Sequence, residues 1–403
     1  MTLTPPLARS GDGRVFVCDP MCVLPFGHNV PAMGYFRDWF KRTTRDVVAV
    51  CCRELPGPIA QANGFTPFFR FYYEDYFPRI RNSSPGGDAS GWFIDNAERM
   101  ATQDALALLK EFDVGPSDTL FHPHLDFYGG LGLLNALKNW PKDRRPRLLL
   151  RFIGVMENAS HAYRDPLAEL LGRLKQAMAD GVEISFSAET PRYADMLAEE
   201  LGTIVTVTAY PEMSQPLPMR EHGPFVFYCA GSARHDKGFM RLPEIFSAVR
   251  RRDPEMTIRF VTQMLPAAEL KQHLAVARAL YAIPGVEVQG SAISAEEMIA
   301  TYERSHAVLL PYDAATYRYR GSAVLMEAAF HGRPAITFDG SAFADLARHY
   351  NLGVVVSDVP AMVEAIFRMA DTRRSTLSHR AAQARHRFDL DNAAAFESWL
   401  KLP

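Results

Sequence analysis

The sequence predicts an α/β protein built of two doubly wound domains, and three observations carry that expectation. Short apolar runs alternate with amphipathic stretches through the first half, the rhythm of parallel strands covered on both faces by helices. Pro211–Pro224 then holds four prolines and little periodicity, as an interdomain linker would. Beyond it the alternation restarts and continues to the last residues. A chain of 403 residues also exceeds what one core usually serves. The expected division is residues 1–215, residues 216–385, and a helix over 386–403 that packs back toward the first domain. Both domains are expected to be Rossmann-like and to face one another across a cleft, with ligands at the carboxyl ends of the strands.

In the first half, Arg14–Cys18 reads as a strand, Met33–Arg42 as a helix and Val47–Cys52 as a second strand. Residues 54–95, rich in Gly, Pro, Phe and Tyr, break the rhythm and read as an insertion or long loop. Asn96–Phe112 is a helix, with Met100, Ala105, Leu106, Leu108 and Leu109 as its apolar positions. Thr119–His122 is a strand ending in a Gly-rich loop over Phe127–Gly132, with helix Leu131–Trp140 behind it. Strands Arg147–Ile153, Val182–Ser187 and Thr203–Val207 alternate with helices Pro166–Ala179 and Pro191–Leu201.

In the second half, strands Phe225–Cys229, Thr257–Thr262 and Val286–Gln289 alternate with helices Phe239–Arg250 and Ala267–Ala282. Ser294-Ala-Glu-Glu297 is a capping box ahead of helix Glu296–Arg304. Strand His306–Leu310 follows, then helix Ala323–Phe330, stopped by Gly332 and Pro334. Strand Ala335–Phe338 and the run Gly353–Val356 complete the sheet, and Leu377–Leu400 is helical.

Composition narrows the function. Lys plus Arg is 44 and Asp plus Glu 46, a net charge of −2 that argues against a nucleic-acid partner. No apolar run reaches the roughly 18–20 residues of a membrane span, and the first ten residues lack a signal-peptide core. The five cysteines, Cys18, Cys22, Cys51, Cys52 and Cys229, read as reduced thiols of a cytoplasmic protein. Cys18 and Cys22 have no second pair at metal-ligand spacing, so no metal site is expected. The Arg144, Arg145, Arg147 cluster and Arg250–Arg252 read as solvated faces, or as contacts to anionic lipid at the inner face of a membrane.

Phe225–Gly238 holds the chemistry. A strand opens into a loop with Gly231, Ser232, Arg234 and Lys237, where two cations can meet an anion near a helix start. Further on, Arg320, Gly321, Ser322 and Ala323 lead into a helix carrying Glu327 among Val324, Leu325, Met326, Ala328 and Ala329. A carboxylate so surrounded needs a partner. Backbone N–H groups at that helix start suit a phosphate. Tyr312 and the loop from Gly290 to Ile293 sit at strand ends where a base could stack. In the first half, His122, His124 and Asp126 follow a strand, and His124 is the better candidate to orient a hydroxyl. Gly27-His28 and Gly129-Gly130 read as turns where backbone could approach a ligand. The latter pair forms no complete dinucleotide fingerprint.

Taken in order, Phe225–Phe239, Val286–Gly290, Ser294–Tyr302, Ala307–Tyr312, Gly321–Pro334 and Gly353–Val356 resemble the family-4 type of GT-B glycosyltransferases. The resemblance covers roughly residues 225–360; the first half matches only in layout. It implies a loop that holds the donor diphosphate, a ribose-binding Glu327, and retention at the anomeric carbon by front-side attack. It also implies a nucleoside-diphosphate sugar as co-substrate and a glycan, lipid-linked or small hydroxyl acceptor, as in bacterial polysaccharide or glycoconjugate synthesis. Two positions depart from the family. Ser232 stands where an Arg usually follows the loop Gly, and Tyr319 stands where the first of two Glu residues usually lies. No Asp-x-Asp cluster lies within the segments that carry the resemblance, and Asp389-Leu390-Asp391 falls inside the predicted C-terminal helix, so no metal is expected to assist. Two alternatives stand beside this reading: a nucleotide-sugar epimerase using Asp126 and Glu157, and a catalytically silent glycan-binding scaffold.

Overall fold

Two all-parallel sheets organise the chain in the computed structural model, which describes residues 13–24, 29–42, 46–72, 91–154, 165–208, 216–231, 233–266, 270–271 and 273–401. The first sheet contains β1 (Val15–Asp19), β2 (Val47–Cys52), β3 (Phe65–Phe69), β4 (Thr119–His122), β5 (Arg147–Phe152), β6 (Ile184–Ala188) and β7 (Val205–Val207). Its order is β3-β2-β1-β4-β5-β6-β7. The second contains β8 (Phe225–Cys229), β9 (Ile258–Gln263), β10 (Val286–Gln289), β11 (Ala307–Leu310), β12 (Ala335–Phe338) and β13 (Gly353–Val356). Its order is β10-β9-β8-β11-β12-β13. The central strands are near-continuous apolar runs because helices cover both of their faces; β1, β5, β11 and β12 are buried along their whole length. Each order reverses once, between β1 and β4 and between β8 and β11. In doubly wound sheets a ligand sits outside the carboxyl ends of the strands at such a reversal.

The chain divides into two units: residues 1–211 with 394–403, and residues 212–393. In the first, helices α1 (Asn29–Lys41), α2 (Gly57–Asn63), α3 (Gly91–Glu111), α4 (Phe127–Lys138), α5 (Pro166–Ala179) and α6 (Pro191–Leu201) flank the sheet. Within the segment expected to be an insertion, α2 and the edge strand β3 are regular structure. Pro67 inside β3 reads as a breaker, yet a proline is tolerated on an edge strand.

The Gly-rich stretch over Phe127–Gly132 is helix, not loop. Asp126 caps α4, its Oδ1 accepting the Gly129 N–H at 2.8 Å. A β-carbon on Gly132 would lie 2.4 Å from the backbone of Ala101 in α3, and one on Gly130 would lie 2.9 Å from Leu170 in α5. Glycine is used there for close helix contact, which composition alone cannot distinguish from a turn.

In the second unit, helices α7 (Leu242–Arg252), α8 (Leu274–Ala282), α9 (Ala295–Arg304), α10 (Ala323–Phe330), α11 (Ala342–Tyr350), α12 (Val359–Ala370) and α13 (Arg374–Lys401) surround the sheet. The 3₁₀ turn Phe239–Arg241 replaces the first turn of the helix expected from Phe239, because Pro243 sets the α-helix start. The expectation lacked α11 and α12; the caps that start them, Ser341 and Asp358, were legible in the sequence. Among the described residues, no helix is long and apolar enough to cross a membrane.

The end of α13 belongs to the first unit. Phe396 meets Phe36 at 5.5 Å and Trp399 meets Phe121 at 5.5 Å between ring centroids. Trp399 is fully buried, so Trp399→Ala should cost about 3–5 kcal/mol of that unit's stability. Urea unfolding followed by far-UV circular dichroism measures it; a loss under about 1 kcal/mol would remove the helix end from this core.

Candidate functional site

The reversal between β8 and β11 opens a small pocket lined by Gly231, Arg234, Lys237, Thr262, Leu309 and Tyr312 among others. Its loop leaves β8 at Cys229, makes a 3₁₀ turn over His235–Lys237, and turns left-handed at Gly238. Gly238 has φ +78°, and a β-carbon there would lie 2.0 Å from the Pro311 carbonyl oxygen, so only glycine fits beside the exit of β11. The Asp313 N–H donates to the Asp236 carbonyl at 2.9 Å and closes the same seam. The loops after β8 and β11 are therefore one stitched unit.

Within it, the two expected cations differ. The Arg234 fork is engaged by Asp236, with Nε to Oδ1 at 2.9 Å and Nη2 to Oδ2 at 2.7 Å. Nη2 also donates to the Tyr317 hydroxyl at 3.2 Å. Burial works against both charges, but the pairing outweighs it and holds the Asp236 carboxyl below the usual carboxylate range. Arg234 is thus fixed in place, with Nη1 outside the Asp236 pair. Asp236 and Tyr317, its anchors, were not among the sequence candidates; an Asp two residues after the Arg was the available signal.

Lys237 is half-buried, and its ammonium has no hydrogen-bond or ion-pair partner among the described residues. It stands 5.7 Å from the centroid of the Tyr312 ring. Burial and the neighbouring Arg234 charge lower its pKa from 10.5 to about 8, against a partial offset from Asp236 and Glu327. A β-carbon built on Gly231, where φ is +82°, would lie 2.7 Å from Lys237 Nζ and 3.0 Å from Val324 Cγ2. Gly231 thus marks the point where the ammonium and the first turn of α10 converge.

Helix α10 begins at Ala323, capped by Ser322, whose Oγ accepts the Leu325 N–H at 3.2 Å. Gly321 precedes the cap, and Arg320 lies 6.0 Å from the Tyr317 ring. Glu327 is half-buried one turn on, and its Oε2 accepts a hydrogen bond from the Tyr302 hydroxyl at 3.1 Å. Tyr312 is buried, packed on Tyr317 and Phe343 at 4.9 and 5.5 Å. It forms a floor beneath Lys237 rather than an open stacking face. Gly290 is exposed just past β10, two strands from β8 in the sheet order. Ser232 lies outside the described residues.

The other reversal, between β1 and β4, gathers a second group. His124 Nδ1 lies 2.8 Å from Asp19 Oδ2, both side chains buried. Asn29 Nδ2 donates to the same oxygen at 3.0 Å, and the Met21 N–H donates to Asp19 Oδ1 at 2.9 Å. Burial alone would raise the Asp19 carboxyl, but His124, Asn29 and the Met21 amide outweigh it and hold it low. Asp19 ends β1 and was missed by sequence reading, since one Asp after an apolar run is a common strand end. Arg151 is fully buried and holds both residues that flank His124. Its Nη1 donates to the Pro123 carbonyl at 3.1 Å, and its own carbonyl accepts the Leu125 N–H at 3.1 Å.

His122 is instead the last residue of β4, buried, its pKa pushed down to about 4 by burial, so it is neutral where a base would act. Asp126 is the α4 cap. Gly129 and Gly130, expected in a ligand-facing turn, lie in α4 and serve capping and helix contact. Gly27, His28 and Glu157 lie outside the described residues. Of the arginine clusters, Arg144 pairs with Asp113, Arg147 with Glu183, Arg250 with Asp253 and Arg252 with Glu364, and Arg147 is buried rather than on a solvated face. The cysteines are free thiols, and no three metal-ligating side chains converge among the described residues.

Residues 224–372 match the family model described as glycosyl transferases group 1. That segment is a glycosyl transferases group 1 domain, which together with the structural neighbours below supports a glycosyltransferase. No curated protein matches the sequence. Similar solved structures include TarM, at 10% identity over 97% of this chain and 98% of that one, TM-score 0.68. Another is a UDP-forming α,α-trehalose-phosphate synthase from Burkholderia xenovorans, at 12% identity over 96% and 97%, TM-score 0.65. A third is a mutant of S. aureus TarM in complex with fondaparinux, α-GlcNAc-glycerol and UDP, at 13% identity and TM-score 0.53. The alignment covers 74% of this chain and spans 58% of that one. At these identities the likeness shows the fold, the GT-B pair of Rossmann-like domains.

The glycosyltransferase's lysine gives a direct check on this geometry. Nitrogen-detected NMR of the ammonium groups, assigned with Lys237→Arg, should show one lysine titrating near pH 8. A midpoint above about 10, the ordinary lysine range, would mean that Lys237 lies in open solvent.

Proposed function

We propose that the enzyme transfers a sugar from a nucleoside-diphosphate donor to an acceptor hydroxyl, with the donor diphosphate held by the loop after β8 and the start of α10. The observation that carries this reading is Lys237: a half-buried ammonium of lowered pKa, without an anionic partner among the described residues, beside a helix N-terminus. A cation placed so is stabilised by an anion of the kind a diphosphate supplies. Arg234 adds a fork fixed in advance by Asp236 and Tyr317, and the α10 N-terminus adds roughly half a positive charge. Together they approach the two or so negative charges of a bound diphosphate, and they meet the further charge that develops as the sugar leaves.

Metal independence follows from that charge balance as part of the proposal. The acceptor is a glycan, lipid-linked sugar or small polyol, in line with the ligands of the TarM complex and with a role in polysaccharide or glycoconjugate synthesis. Retention at the anomeric carbon is the family expectation. The acceptor oxygen bonds to the anomeric carbon on the face the diphosphate leaves, and the departing phosphate oxygen takes the acceptor proton. Glu327 receives the ribose diol. His124, oriented through Nδ1 by Asp19, positions a hydroxyl of the transferred sugar or acceptor. Cytoplasmic location belongs to the same proposal. The epimerase alternative needs two carboxylates, and one of its candidates, Asp126, is engaged in capping α4.

Lys237→Ala should lower the transfer rate between several-fold and a thousand-fold, about 2–4 kcal/mol for one such contact, with full wild-type turnover retained in excess EDTA. A panel of sugar nucleotides with release of free sugar as readout tests both. Unchanged turnover in Lys237→Ala, or activity that only manganese restores, contradicts the site. His124→Ala and Asp19→Asn should cut kcat by at least about ten-fold while moving the Kd for the product nucleotide less than about two-fold. Equal losses in kcat and nucleotide affinity would place the pair in folding rather than in transfer.

A further inference from the structure

We propose that Tyr302 is the positioning residue of the ribose-binding carboxylate, and so sets how strongly the enzyme prefers ribonucleotides to nucleotides lacking the 2′,3′-diol. The inference rests on the donor reading above and on Glu327 as the diol's partner. Glu327 projects from α10, and Tyr302 from α9, a separate helix; their contact is the hydroxyl donating to Oε2 at 3.1 Å. A glutamate has three side-chain torsions, and a half-buried one without an anchor would sample several orientations. The Tyr302 hydroxyl holds Oε2 from a separate helix and so restricts the carboxylate's orientation, while a carboxylate can accept more than one such bond, as a diol requires.

Tyr302 is itself held on three sides. Its ring is fully buried, edge-to-face with Tyr228 at 5.2 Å and 80°. It lies 4.7 Å from the His331 ring, and its carbonyl accepts from Arg333 Nε at 3.1 Å. The helix that carries it is anchored by the Ser294–Glu297 capping box. Tyr228 supplies an internal comparison. Its hydroxyl is buried too, yet it has no hydrogen-bond partner among the described residues. Of two packed tyrosines, one hydroxyl meets the carboxylate and the other does not, so ring packing and hydroxyl function can be separated by single-atom changes.

Titration calorimetry of the full chain with UDP, GDP and ADP, and with the 2′,3′-dideoxy counterpart of the tightest binder, tests this on wild type, Tyr302→Phe and Tyr228→Phe. Wild type should prefer the ribonucleotide, and Tyr302→Phe should narrow that preference about ten-fold, the size of one hydrogen bond to a charged group. Affinity for the dideoxy form should stay within about two-fold. Tyr228→Phe should keep the wild-type preference. In a Glu327→Ala background, Tyr302→Phe should change nothing further, which a merely structural role would not produce. An equal loss for both nucleotides in Tyr302→Phe, or an unchanged preference, overturns the inference and leaves the donor site standing. If wild type binds ribo and dideoxy forms equally, the role of Glu327 fails with it. If no nucleoside diphosphate binds at all, the donor reading itself falls.

Discussion

A half-buried ammonium, Lys237, with no hydrogen-bond or ion-pair partner among the described residues, is the constraint on which the account of the second unit depends. Lys237 could have been placed in solvent, where it would sit near its usual pKa, or beside a carboxylate. The loop does neither: Arg234 stands close by and adds repulsion, while Asp236, the adjacent carboxylate in sequence, is engaged by Arg234. The protein holds the pair of cations together through covalent and hydrogen-bonded constraints made elsewhere. Gly238 lets the turn pass within contact of the Pro311 carbonyl, and Asp313 ties the exit of β11 to Asp236. In the proposed function, the donor diphosphate relieves the repulsion that this preorganised loop holds.

The two sheets repeat one solution. In each, the strand order reverses beside the first strand, and polar groups gather at the carboxyl ends of the two strands that flank the reversal. In the second unit these are a pair of cations over a buried tyrosine. In the first they are a carboxylate and an imidazole, Asp19 and His124, with Asn29 and Arg151 fixing the approach of the chain. Apolar burial builds both sheets, but the reversals decide where chemistry can be placed, since helices cover the sheet everywhere else.

Much of this was legible in the sequence. Strands such as Phe225–Cys229 and Ala335–Phe338 are short, largely apolar and bounded by small residues, so period and length identify them. The cation loop was legible because Arg234 and Lys237 follow a strand directly. Less visible were groups whose role depends on a distant partner. Asp19 meets His124 across 105 positions, and Tyr302 meets Glu327 from a different helix. Neither has a local pattern. Glycine misled in Phe127–Gly132, where it serves helix contact. Of the two histidines weighed, His122 closes β4 as a buried neutral ring and His124, the preferred candidate, lies in the loop that follows.

The central claim is that a diphosphate supplies the charge Lys237 lacks, and proton linkage tests it most directly. A bound diphosphate favours the ammonium, so binding raises a pKa that starts near 8. Between that value and the raised one the complex must therefore take up a proton, and affinity must fall as pH rises through about 8. Calorimetry of nucleoside-diphosphate binding at about pH 8.5 (roughly half a unit above that pKa), in two buffers of different ionisation enthalpy, measures the uptake. The account requires net proton uptake that disappears in Lys237→Arg, whose side chain stays charged. Binding with no uptake at that pH, or uptake that survives the substitution, would contradict it.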